Sequence, residues 1–96
     1  MPVGVLQLEI FLPESASLKD RRQAVRSVKD RLRQRFNVSV AELDPERDLW
    51  QRATLGIAAI AADANYLQGL LAQAGEAAVH WLPGQDVQVG SIEILD

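Results

Sequence analysis

The chain has 96 residues, 48% of them hydrophobic and 24% charged, and a formal net charge of −3. That length gives room for one domain, 1–96, which buries roughly 60–65% of its unfolded surface by size scaling, and the balance is ordinary for a globular fold. There is no cysteine, which excludes disulfide staples, thiolate zinc sites, iron–sulfur clusters and thiol nucleophiles together.

Val3 to Leu12 alternates, with Gly4, Leu6, Leu8, Ile10 and Leu12 on one side and Val5, Gln7, Glu9 and Phe11 on the other. That period predicts a strand with one fully apolar face, and Pro13 ends it. Ser17, with Asp20 three residues on, resembles a capping box in which Asp replaces Glu. Leu18, Val25, Val28 and Leu32 then recur at helical spacing, which predicts a helix over Leu18–Gln34. Phe36–Leu43 is rich in β-branched residues, alternates again and reads as a second strand. Asp44–Asp48, with Pro45 inside, is the expected hairpin turn. Trp50–Ala62 follows as a third strand whose apolar end suits burial on both sides. Asp63 is the expected N-cap of a second helix, which Leu67, Leu70, Leu71, Ala74 and Ala78 carry to about Val79. Pro83-Gly84 is a turn signal, and Val87–Leu95 closes the chain as the last strand.

The order is βαββαβ, and two split βαβ units with right-handed crossovers give an α+β, ferredoxin-like sandwich. The expected product is a four-stranded antiparallel sheet with two helices on one face. The opening MPVGVLQLEIFLPE lacks the basic start of an export signal. No stretch approaches the ~20 apolar residues of a membrane span. A cytoplasmic protein with no membrane contact is the expectation.

The net charge conceals where the cations lie. Eight of the ten basic residues are Lys19, Arg21, Arg22, Arg26, Lys29, Arg31, Arg33 and Arg35. Asp20 and Asp30 alone oppose them there, so the segment carries 8 − 2 = +6 and the remainder 2 − 11 = −9. A basic segment in an acidic body is a charge pattern that bulk pI hides. Like charges at i,i+4, such as Arg22–Arg26 and Lys29–Arg33, repel by about 0.2–0.5 kcal/mol each in a helix, so a neutral mix would be more stable. Six of the eight are Arg, the side chain that contacts phosphate bidentately. Phosphate-backbone contact, with RNA as partner, is the leading reading. A solvated outer face and an acidic protein partner, including the acidic body of this protein, stay open beside it.

Other chemistries find less support in the residues. A base-stacking sheet needs aromatics on the first and third strands, where Phe11 and Trp50 lie at strand ends. A phosphate-cradling loop after the first strand is usually glycine-rich, and here it reads PESAS. His80 is the sole histidine, at the end of a helix where a capping or surface role is expected. Glu42, Asp44, Glu46 and Asp48 alternate, but Pro45 and Arg47 intervene and the calcium-loop glycine is missing. No nucleophile stands with an activating base, and Glu9, Glu42 and Asp44 are the carboxylates at hand for a cleft. A non-catalytic binding module without metal or cofactor is expected.

One more surface follows from the alternation. With Leu6, Leu8, Ile10, Ala53, Leu55 and Ile57 inward, the opposite face shows Val5, Phe11, Trp50, Thr54, Gly56, Ala58 and Ile60, joined by Gln7, Glu9 and Arg52. That face is too apolar to be left wholly wet. A homodimer using Phe11, Trp50, Arg52 and Thr54 is expected, unless pairing of Arg52 with Glu9 suffices.

Ser17-Leu18-Lys19, Arg21-Arg22, the run from Arg33 through Arg35-Phe36-Asn37-Val38-Ser39-Val40-Ala41-Glu42, and Asp48 through Gly56 resemble the small bacterial YlxP-like proteins over essentially the whole chain. The resemblance is to a domain of unknown function, so it implies no catalytic residues. Genes of that family often lie beside those for translation initiation and ribosome maturation factors, which implies a ribosome-linked role.

Overall fold

β1 (Val3–Phe11) runs through the middle of the sheet in the computed structural model, which describes residues 1–13, 16–43, 52–81 and 86–96. It is followed by α1 (Leu18–Arg35), β2 (Ser39–Glu42), β3 (Arg52–Ile60), α2 (Ala64–Trp81), β4 (Asp86–Val89) and β5 (Glu93–Leu95). β1 pairs with β3 along its whole length, from Val3 opposite Ile60 to Phe11 opposite Arg52. The strand order is β2-β3-β1-β4, β5 also pairs with β1, and every pairing is antiparallel. The fold is therefore α+β, with two helices and an antiparallel sheet of four strands, or five where the last is counted as two. The turns expected at Asp44–Asp48 and Pro83-Gly84, and Trp50 with them, lie outside the described residues.

One core holds the layers together. Leu6, Leu8, Ile10, Ala53, Leu55 and Ile57 turn to one side of the sheet and meet Val25, Val28 and Leu32 of α1 and Leu67, Leu71, Ala74 and Ala78 of α2. The period-2 strands and the period-3.6 helices thus bury the faces their spacing predicts. Close approach explains Gly4: a Cβ there would stand 2.6 Å from the Leu71 Cδ1.

Helix ends follow from their side chains. The Ser17 hydroxyl accepts from the Asp20 N–H at 3.2 Å, as an N-cap should. The Asp20 carboxylate accepts from the Ala16 N–H at 3.1 Å rather than from Ser17, so the box is closed one residue early. At α2 the Asp63 carboxylate accepts from the Asn65 N–H at 3.0 Å.

Five expectations need correction. The third strand ends at Ile60, not Ala62, and alternates buried with half-open residues instead of being covered on both sides. Leu18 is 40% exposed, and Arg21 takes its place in the buried row Arg21, Val25, Val28, Leu32. The second strand starts at Ser39, not Phe36, because the Phe36 N–H still donates to the Leu32 carbonyl and closes α1. α2 runs on to Trp81, two residues past Val79. The last strand is broken. β4 pairs Leu8 with Val89, the Gly90 N–H donates to the Gln7 carbonyl at 2.9 Å, and Val5 then faces Glu93. Ser91 and Ile92 together stand opposite Leu6, which is a β-bulge. Gly90 is needed there, since a Cβ would lie 3.0 Å from the Gln7 carbonyl oxygen.

Candidate functional site

The eight basic residues of α1 divide by their angle on the helix. Arg21 lies in the inward row and is 3% exposed. Its guanidinium forms an ion pair with Glu42, and its Nε donates to the Arg52 carbonyl at 2.9 Å. A charge taken out of water needs such partners. Arg21 thus ties α1 to β2 and β3 and is withdrawn from the expected phosphate contacts.

One position further round, Arg22, Arg26, Lys29 and Arg33 follow the inward row at spacings of four, three and four, and Lys19 extends them by one turn. These five lie along one flank, about 21 Å long at 1.5 Å per residue. Arg22, Arg26, Lys29 and Arg33 line a concavity of about 280 Å³ with Val25, Asp30 and Glu42, between α1 and the edge strand β2. Asp30 stands 3.9 Å from the Arg33 guanidinium, and Glu42 already faces Arg21. The flank is therefore strongly positive, with its own acids too few to neutralise it.

Arg33 has a second role. Leu43 and Thr54 form a hydrogen-bonded pair, N–H to carbonyl at 2.9 Å. Alternation in an antiparallel ladder then points the Val40 N–H and carbonyl away from β3. The Arg33 Nη2 donates to that outward Val40 carbonyl at 2.7 Å.

The opposite flank of α1 holds Arg31, whose guanidinium lies 6.0 Å from the Trp81 ring centre at the end of α2. Arg35 lines the same shallow surface. In the sequence the eight cations form one basic segment. The structure brings five of them to one flank, buries one and leaves two on the other side.

On the open face of the sheet, Glu9 receives 3.0 Å from the Arg52 Nε and 2.9 Å from the Thr54 hydroxyl, and the Arg52 guanidinium stands 5.4 Å from the Phe11 ring centre. The pairing of Arg52 with Glu9 is thus present. Trp50, named with these residues as an interface, lies outside the described residues. Beside this cluster a trough of about 630 Å³ runs over Val5, Ala41, Gly56 and Ala58 toward Ser91 and Glu93. Its wall is Leu43, whose Cδ2 stands 3.0 Å from where a Gly56 Cβ would be. Leu43 closes the predicted strand Phe36–Leu43 but was not assigned to this face; the alternation Ser39, Ala41, Leu43 on one side was the available signal.

The carboxylates considered for catalysis are engaged: Glu9 with Arg52 and Thr54, and Glu42 with Arg21. Asp44 lies outside the described residues. His80 is exposed, with its Nε2 3.9 Å from the Glu76 carboxylate one turn back. Among the described residues no helix is long and apolar enough to cross a membrane.

This two-layer arrangement is similar to the C-terminal segment of the alpha subunit of aIF2 from Pyrococcus abyssi, with a TM-score of 0.56 and 17% identity over 92% of this chain and 48% of that one. The intact alpha subunit matches with the same TM-score and identity, covering 95% of this chain and 34% of that one. At that identity the likeness is one of fold. The family described as "Protein of unknown function (DUF503)" matches residues 3–91, and the chain belongs to it. It is 34% identical over 58 residues to "Uncharacterized protein YlxP" of Bacillus subtilis (strain 168), covering 60% of this chain and 62% of that protein. The YlxP-like resemblance read from the sequence therefore holds.

Proposed function

We propose that the protein is a non-catalytic binding module that contacts RNA phosphates, on the ribosome or its RNA, through Lys19, Arg22, Arg26, Lys29 and Arg33 of α1. The observation that carries this reading is the uncompensated row. Repulsion along a helix flank is a cost to the folded state, and a polyanion reverses it. The structural neighbour is a subunit of a factor named for translation initiation, which agrees with this direction. Five phosphate contacts set a log affinity against log salt slope of about −3.5 to −4.5. Replacing Arg22, Arg26 and Lys29 by Gln is expected to weaken binding of ribosomal RNA fragments and flatten that slope in a salt titration by fluorescence anisotropy. Full affinity in the triple variant, or no binding by the parent at low salt, overturns the reading.

A second reading has its own observation. The trough walled by Leu43 leaves a largely apolar surface on the open face, and a homodimer through that face would cover it. Sedimentation at tens of micromolar decides: a dimer that Leu43→Glu disperses supports it, and a monomer removes it. In architecture the ferredoxin-like sandwich is our reading of the order βαββαβ with strands β2-β3-β1-β4. A cytoplasmic location goes with an RNA partner of this kind.

A further inference from the structure

We infer that the groove between α2 and the end of α1 binds unpaired bases of the RNA whose phosphates lie on the cation row; this rests on the phosphate-contact reading above. Tyr66, Leu70, Gln73, Ala77 and His80 follow one another on α2 at spacings of four, three, four and three. That period puts them in one stripe, about 21 Å long at 1.5 Å per residue. With Arg35, Phe36 and Asn37 they line a groove of about 520 Å³.

Unpaired bases are recognised by rings and guanidinium planes on which they stack and by polar groups that meet their edges. The groove brings both kinds together. Tyr66 is 57% exposed, so its ring is open to a ligand. Phe36 and Leu70 rest partly buried on the core and give the groove an apolar floor. Asn37, Gln73 and Glu76 supply the polar groups, and such amides and carboxylates pair with the exocyclic amino groups of adenine and cytosine. Glu76 stands 3.9 Å from the His80 Nε2, an exposed pair too long for a hydrogen bond.

Charge decides which occupant suits this surface. Arg35 lines the groove and also the shallow surface beside Trp81, where Arg31 stands 6.0 Å from the ring centre. Arginines set among rings match a polyanion whose units are flat and apolar. α1 is about 10–12 Å across with its side chains. The cation row lies on one flank and Arg35 on the other, so a few nucleotides of one strand reach both. The row takes phosphates and the groove takes bases. Paired bases are already stacked on one another inside a duplex, so a duplex engages the row alone.

The test uses the full chain and two probes, an RNA strand of about 12 nucleotides without self-structure and an RNA duplex of about 20 base pairs. Anisotropy is read at about 50 mM salt and through a salt titration. Tyr66→Ala is expected to weaken binding of the strand about fivefold or more, the worth of one stacked base. Its salt slope is expected to stay that of the parent, because stacking neutralises no phosphate, and its binding of the duplex is expected to be unchanged. Tyr66→Phe keeps the ring and is expected to bind the strand as the parent does. Unchanged strand binding in Tyr66→Ala, an equal loss for strand and duplex, or an equal loss in Tyr66→Phe overturns the inference and leaves the phosphate-contact reading standing. Binding of neither probe by the parent overturns that reading and this inference with it.

Discussion

On the open face of the sheet, Arg52 is held by Glu9 at 3.0 Å and lies over Phe11, so its charge is spent within the fold. On the flank of α1, Arg22, Arg26 and Lys29 share a concavity in which Asp30 also faces Arg33 and Glu42 also faces Arg21. Both surfaces are exposed and both carry arginine. The difference teaches that residue type does not decide whether a cation is structural; the angle it takes on its element and the carboxylate it reaches do. Arg21 and Arg22 are adjacent in sequence, yet one is buried and ion-paired and the other lies on the free flank.

The largest effect is expected where the comparison is sharpest. Arg21→Ala leaves Glu42, 17% exposed, without its guanidinium, and breaking a buried pair costs roughly 3–5 kcal/mol. Urea unfolding followed by circular dichroism reads this as a lowered midpoint. A loss below about 1 kcal/mol would place Arg21 with the surface cations.

Next come the two flanks of α1. Arg26→Gln is expected to flatten the salt slope of RNA binding by about 0.7–0.9, one phosphate contact. Arg31→Gln, on the Trp81 side, is expected to leave that slope unchanged. Equal slopes in the two variants would erase the distinction between the flanks.

Glu9→Gln is expected to be the mildest. The pair it breaks is part-exposed on both sides, 46% and 30%, so the stability loss is below about 1 kcal/mol by thermal unfolding. The substitution removes the Glu9 charge beside Arg52 on the sheet face. Introduced into the Arg22, Arg26, Lys29 triple variant, it is expected not to restore RNA binding. Restoration would mean that a cation on the sheet face serves as well and that the row on α1 has no special standing.

Much of this architecture is legible in the sequence because burial imposes a period. β1, β3 and both helices lie where alternation or helical spacing puts them, since one face of each must enter the same core. The second strand was overextended at its start because β-branched composition says nothing about which N–H groups the preceding helix still uses, as Phe36 shows. The bulge left a trace that was passed over. Val87 and Val89 are apolar at odd positions, then Ile92 and Ile94 at even ones. That change of parity is what an extra residue between Gln7 and Val5 of the neighbouring strand requires. The basic flank was legible as a charge run but not as a geometry. Only the packing of α1 shows that Arg21 belongs inside and that Arg31 faces Trp81.

The bond from Arg33 to the outward carbonyl of Val40 has a consequence for how copies of this protein behave when crowded. An edge strand with open carbonyls is a template on which another chain can lay a strand and begin a fibre. Here the acceptor at the middle of the β2 edge is occupied by a charged side chain anchored on the overlying helix. A guest strand must first displace that guanidinium and then lie beside four more like charges. The same row that favours a polyanion therefore acts as a colloidal guard, repelling the like-charged β2 edge of a second copy that would join sheet to sheet.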